Sequence, residues 1–138
     1  ITVRSSLIDY NFLISDTILA NQAKLITDIK KSTDIFYTST RGVNETNIVV
    51  SKSVAHLVEK HFEFEKLVLK SDNLASITVK LPKENISTPG VYYFIFQKLA
   101  WEGIVIDQVV STSFEFTIFV NENKIDTAFK VIKELKNL

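Results

Sequence analysis

An α+β protein built from two ferredoxin-like units, each a βαββαβ path with helices on one face of an antiparallel sheet, is the fold class the sequence predicts. Three observations predict it. The order strand, helix, strand, strand, helix occurs twice along the 138 residues, and residue-level echoes recur at matching places in the two copies. Ser15-Asp16-Thr17 stands where Ser87-Thr88-Pro89 stands, and Ser39-Thr40 with Glu45 before Ile48-Val49-Val50 mirrors Ser111-Thr112 with Glu115 before Ile118-Phe119-Val120. Finally, a hydrophobic fraction of 46% is enough for a packed core.

The first copy opens on an alternating strand, with Ile8, Tyr10, Phe12 and Ile14 interleaved by Asp9, Asn11 and Leu13. Ser15-Asp16 then caps a helix from about Thr17 to Lys31, whose stripe is Ile18, Leu19, Leu25, Ile26 and Ile29. Asp34 to Thr38 and Thr46 to Val50 read as strands joined through Arg41-Gly42-Val43-Asn44. A short helix follows through Leu57, Val58 and Phe62, and Lys66 to Leu69 alternates again.

The second copy begins with the alternation of Leu74 to Leu81, which puts Ala75, Ile77 and Val79 on one side. Pro89-Gly90 opens a helix with Val91, Phe94, Ile95 and Leu99 as its buried stripe and Tyr92 at the stripe's margin; a first-turn proline is acceptable because its missing N–H has no helical partner. Gly103 ends that helix in the left-handed position glycine favours. Val105 to Val110 and Glu115 to Val120 form a hairpin, and Asn121 caps a last helix with Ile125, Ala128, Phe129, Ile132 and Leu135 at helical spacing. The expected units are therefore 1–71, the more divergent, and 72–138. No strand follows the second copy's last helix, and the alternating stretch Ile1-Thr2-Val3-Arg4 is offered for that vacancy.

Composition excludes several functions. Sixteen basic residues balance sixteen acidic ones, so no global field draws the chain to nucleic acid or to an anionic membrane surface. Near-zero net charge leaves self-association weakly opposed. The absence of cysteine removes disulfides and thiolate chemistry and fits a cytoplasmic setting. No run approaches the ~20 apolar residues a bilayer span needs. Because the chain starts at Ile1 and lacks methionine, it reads as a processed protein or a fragment, with a fused or partner domain expected before Ile1.

Catalytic and metal signatures are missing as well. His56 and His61 stand i, i+5 apart without a ligand partner in sequence and read as surface histidines. Acidic residues are scattered, and no nucleophile elbow, P-loop or dinucleotide fingerprint occurs, so no enzyme, no cofactor and no metal are expected. The aromatics Tyr92, Tyr93, Phe94, Phe96, Trp101, Phe114, Phe116 and Phe119 make both the helix and the hairpin apolar on more than one side, which fits a subunit or repeat interface as well as a thick core.

Three local patterns carry a family resemblance: Thr88-Pro89-Gly90-Val91 at a helix start, Glu102-Gly103-Ile104 at its end, and Ser111-Thr112-Ser113-Phe114-Glu115 at the hairpin. With these the second repeat resembles an ACT domain, the regulatory fold attached to many amino-acid biosynthetic enzymes. The whole chain resembles the tandem ACT pair of aspartokinases. The likeness covers about residues 74–135; the first repeat shares only the layout and the Thr38-to-Val50 hairpin and lacks the proline-glycine start. Nothing resembles the kinase itself. The resemblance implies an allosteric regulatory module, a homodimer formed by sheet pairing, and an effector amino acid bound where one unit's first loop meets a neighbouring strand.

The site so implied comprises Asn85, Ser87, Thr88, Gly90 and Val91, with Ser111 and Ser113 as further hydroxyl contacts. Chemistry supports it independently, since a helix N-terminus presents unpaired N–H groups and a positive dipole end to a carboxylate. The same residue types also suit any strand-to-helix turn. Two other functions are open: an assembly module without ligand, and an RNA-binding ferredoxin-like domain, which lacks both its aromatic signature and excess positive charge.

Overall fold

The computed structural model describes residues 1–81 and 90–136. Its elements run β1 (Thr2–Leu13), α1 (Ile18–Ile29), β2 (Tyr37–Arg41), β3 (Glu45–Ser51), α2 (Ala55–His61), β4 (Leu67–Lys80), α3 (Val91–Trp101), β5 (Gln108–Ser111), β6 (Glu115–Asn121) and α4 (Ile125–Lys136). The class is α+β, with helices packed on antiparallel sheets, as the repeated pattern predicts. Two compact units form, one of Ser6–Asn73 and the other of Leu74–Leu138 together with Ile1–Ser5. Two strands serve both.

In the first unit the strand order is β2-β3-β1-β4, and β3 pairs with β1 only from Leu7 to Leu13. In the second the order is β5-β6-β4-β1, and β6 pairs with β4 only from Leu74 to Lys80. Residues 1–5 thus belong to the second unit, whose own segment lacks a strand after its last helix among the described residues. Where the shared strands change unit, Ser6 and Asn73 both take left-handed backbone, at φ 57° and 56°. Such residues interrupt the two-residue alternation, which is why the sequence shows β1 and β4 as two short pieces each.

The duplication extends to turn geometry. The Gly42 N–H donates to the Glu45 carbonyl and the Thr112 N–H to the Glu115 carbonyl, each at 2.8 Å. A 3₁₀ turn follows each hairpin, Lys52–Val54 and Glu122–Lys124, entered through Ser51 and Asn121 in nearly the same extended conformation. Asn121 Oδ1 accepts from the Asn123 N–H at 3.1 Å, the cap its position predicts.

Each unit has its own apolar core between sheet and helices. Ile8, Tyr10, Phe12, Ile48 and Val50 meet Ile18, Leu25, Ile29 and Val58 in the first, while Phe12 stacks on Phe62 at 4.8 Å. In the second, Ile77, Val79, Phe116, Ile118 and Val120 meet Leu99, Ala128, Val131 and Ile132. β6 is buried on both faces, since Thr117 and Phe119 are also buried. The first unit likewise buries Asp9 and Asn47, and the Asn47 side-chain amide donates to Asp9 and, at 3.0 Å, to Asn11.

Four expectations are corrected. The stripe of α3 runs through Tyr92, Ile95, Phe96 and Leu99, while Phe94 is 58% exposed. The face is set by Leu99, which is fully buried, and positions three, four and seven residues before it share its side. Helix α3 starts at Val91 rather than at Pro89, because Gly90 at φ 82° cannot be a helical residue. His61 is not a surface side chain: its Nε2 lies 2.5 Å from Asp28 Oδ2 and ties α2 to α1. Leu19, expected in the α1 stripe, faces outward.

Candidate functional site

Gly90 is the residue on which the candidate site turns. It has φ 82° and ψ 5°, a conformation that costs an L side chain about 1–2 kcal/mol and glycine nothing. A Cβ there would meet no atom of the described residues within 4 Å, so conformation rather than crowding demands glycine. From Gly90 the chain turns directly into α3, whose first N–H groups have no partner within the helix. Phe94 N–H donates back to the Gly90 carbonyl at 3.4 Å, marking the first helical turn.

Tyr92, which the sequence places in the aromatic cluster and at the margin of the α3 stripe, links this helix start to the hairpin. Its ring stacks on Phe116 at 5.1 Å, and its hydroxyl lies 2.6 Å from Ser111 Oγ. Ser111 Oγ donates to the Thr112 carbonyl at 3.2 Å, which leaves the Tyr92 hydroxyl to donate to Ser111. The structure therefore brings Ser111 to the first turn of α3, one residue after Val91. Ser113 sits exposed at the tip of the hairpin, between Thr112 and Phe114. Asn85, Ser87 and Thr88 lie outside the described residues.

The first unit repeats the helix-to-hairpin link with other side chains. Gln22 Nε2 donates to Ser39 Oγ at 2.8 Å and to the Tyr37 hydroxyl at 2.9 Å. Its loop before α1, however, holds a carboxylate. Glu65 accepts from Ser15 Oγ at 2.5 Å, Thr17 Oγ1 at 2.6 Å and Asn21 Nδ2 at 2.7 Å. Burial opposes the charge on Glu65, but the three donors outweigh it and hold the carboxyl below its ordinary range. Ser15 and Thr17 thus serve Glu65; Ser15 Oγ also accepts from the Thr17 N–H at 3.3 Å at the entry to α1, whereas Thr17 makes no side-chain cap.

Elsewhere, burial first and the negative charges of Glu59 and Asp72 second push the Tyr10 phenol up to about 12, so it stays neutral. A shallow recess of about 300 Å³ between α3 and α4 is lined by Lys98, Trp101, Glu102, Val131, Glu134 and Leu135. It lies at the C-terminal end of α3, away from Gly90, and Lys98 Nζ stands over the Trp101 ring at 4.7 Å. Among the described residues no three His, Cys, Asp or Glu side chains form a metal-binding group, and no helix is long and apolar enough to cross a membrane.

This backbone matches solved structures of aspartate kinases and of their regulatory subunits. Against aspartate kinase from Clostridium acetobutylicum the TM-score is 0.74 at 13% identity, over 94% of this chain and 33% of that one. The ligand-free regulatory subunit of aspartate kinase from Thermus thermophilus gives 0.70 at 12% identity, over 96% of this chain and 94% of that subunit. Aspartokinase III of E. coli, in complex with lysine and aspartate, gives 0.64 at 12%, over 96% of this chain and 32% of that one. The chain thus spans about a third of the length of these two kinases and nearly all of the regulatory subunit. Its fold is that of a tandem pair of ACT-type units. No protein-family model matches the sequence, and no curated protein does.

Proposed function

We propose that this chain is a non-catalytic regulatory module that binds an amino acid at the start of α3 in the second unit. The observation that carries the reading is the left-handed Gly90 opening directly onto the N-terminus of α3, with Ser111 held at that helix's first turn by Tyr92. An α-carboxylate suits such a place, because free N–H groups and the positive helix end both favour an anion. Asn85, Ser87, Thr88, Gly90 and Val91 form the loop side of the site, and Ser111 and Ser113 the hairpin side. The ammonium group then takes an acidic or carbonyl partner from a neighbouring unit.

The likeness to aspartate kinase regulatory subunits supports a role of this kind, as does the lysine bound to one of the kinases that share the fold. An effector changes activity only if it binds two packings of the module unequally, so the reading includes a homodimer formed by sheet pairing and an attached or partner catalytic domain. A cytoplasmic setting belongs to the same reading.

Thermal shift and calorimetry against the twenty amino acids, lysine first, test the proposal. At a ligand concentration one hundred times Kd the stabilisation is about 2.7 kcal/mol. Gly90→Val is expected to abolish it while the chain remains folded. Absence of any stabilisation at millimolar concentrations overturns the reading and favours the assembly function, which the exposed aromatics Tyr93, Phe94 and Trp101 on α3 would then serve.

A further inference from the structure

Helix α1 opens the first unit's helix layer as α3 opens the second's, and the residues that lead into α1 already hold a carboxylate of the same unit. Both carboxylate oxygens of Glu65 are engaged, Oε1 by Ser15 and Oε2 by Thr17 and Asn21. Their partners come from residues 44 to 50 positions away, so the contact has to be built by the fold. Its presentation is fixed as well: Glu65 N–H donates to the Phe62 carbonyl at 3.0 Å, Phe62 is buried against Phe12, and Leu13 N–H donates to the Lys66 carbonyl at 3.0 Å. The side chain therefore reaches the loop from a turn pinned on both sides.

We propose that Glu65 is an autoinhibitory contact, an internal carboxylate that occupies the first unit's loop and keeps it closed to any free carboxylate ligand. Three donors satisfy the two oxygens of Glu65, and an incoming anion would have to displace a charge tethered at high effective concentration. The inference rests on the reading of the second unit's loop only for what it excludes: effector binding is confined to one loop per chain.

The test uses acetate, the smallest carboxylate, and no effector amino acid, so its failure is distinct from failure of binding at Gly90. Glu65→Ala removes the occupant and leaves its three donors. Sodium acetate, compared with sodium chloride at equal ionic strength, is expected to raise the Tm of the variant by about 3 °C or more and to leave the unaltered chain where it was. Equal shifts in both proteins, or no shift in the variant, overturn the proposal. Should Glu65→Ala not fold, the double variant Ser15→Ala, Thr17→Ala keeps the carboxylate and removes two donors. By NMR titration, the Glu65 midpoint is then expected to rise towards the ordinary glutamate value, and an unchanged midpoint overturns the proposal.

Discussion

Glu65 also ties the stability of the first unit to pH. Its folded-state pKa lies below the ordinary value, so its contribution is fully present above the unfolded glutamate pKa of about 4.3 and is lost as pH falls through the folded one. Urea titrations at descending pH are expected to show stability falling below about pH 5, with a shallower fall in Glu65→Gln. Some slope remains in that variant, because Asp28 is also held low, first by its hydrogen bond from His61. Neither contact is legible in the sequence. Asp28 and His61 are 33 positions apart, and Ser15 and Thr17 look like ordinary caps until Glu65 is seen to occupy them. Gly90 and Gly103 are legible, since a helix entered or left through positive φ leaves few alternatives to glycine.

Helix α3 shows why element existence is easier to read than element orientation. Its start and stop follow from Gly90 and Gly103, yet Phe94 and Phe96 are both aromatic and two positions apart, so periodicity alone allows either to face the sheet. Packing decides for Phe96, whose ring meets Phe116 edge-on at 5.8 Å beside the stacked Tyr92. Phe96 is half-buried, so Phe96→Ala is expected to cost about 1–3 kcal/mol in chemical denaturation, whereas Phe94→Ala should stay within about 0.5 kcal/mol. The hairpins were readable because turn residues fix their register, and both close through the same hydrogen bond. Strands β1 and β4 were readable only in pieces, because left-handed Ser6 and Asn73 reset the alternation that marks a strand.

At the scale of the molecule, the shared strands decide how each unit responds to truncation. Residues Ile1–Ser5 supply part of the second unit and none of the first. Deleting them is expected to lower hydrogen-exchange protection in β4, β6 and α4 while leaving β2, β3 and α2 near their original values. A fragment of residues 6–73 holds its whole unit and is expected to fold alone more readily than 74–138. This exchange also has a consequence in time. During synthesis residues 1–5 emerge well before the rest of their unit, which is not complete until α4 has emerged. Closing so long a loop is slow, so the second unit should acquire its structure in a later kinetic phase than the first.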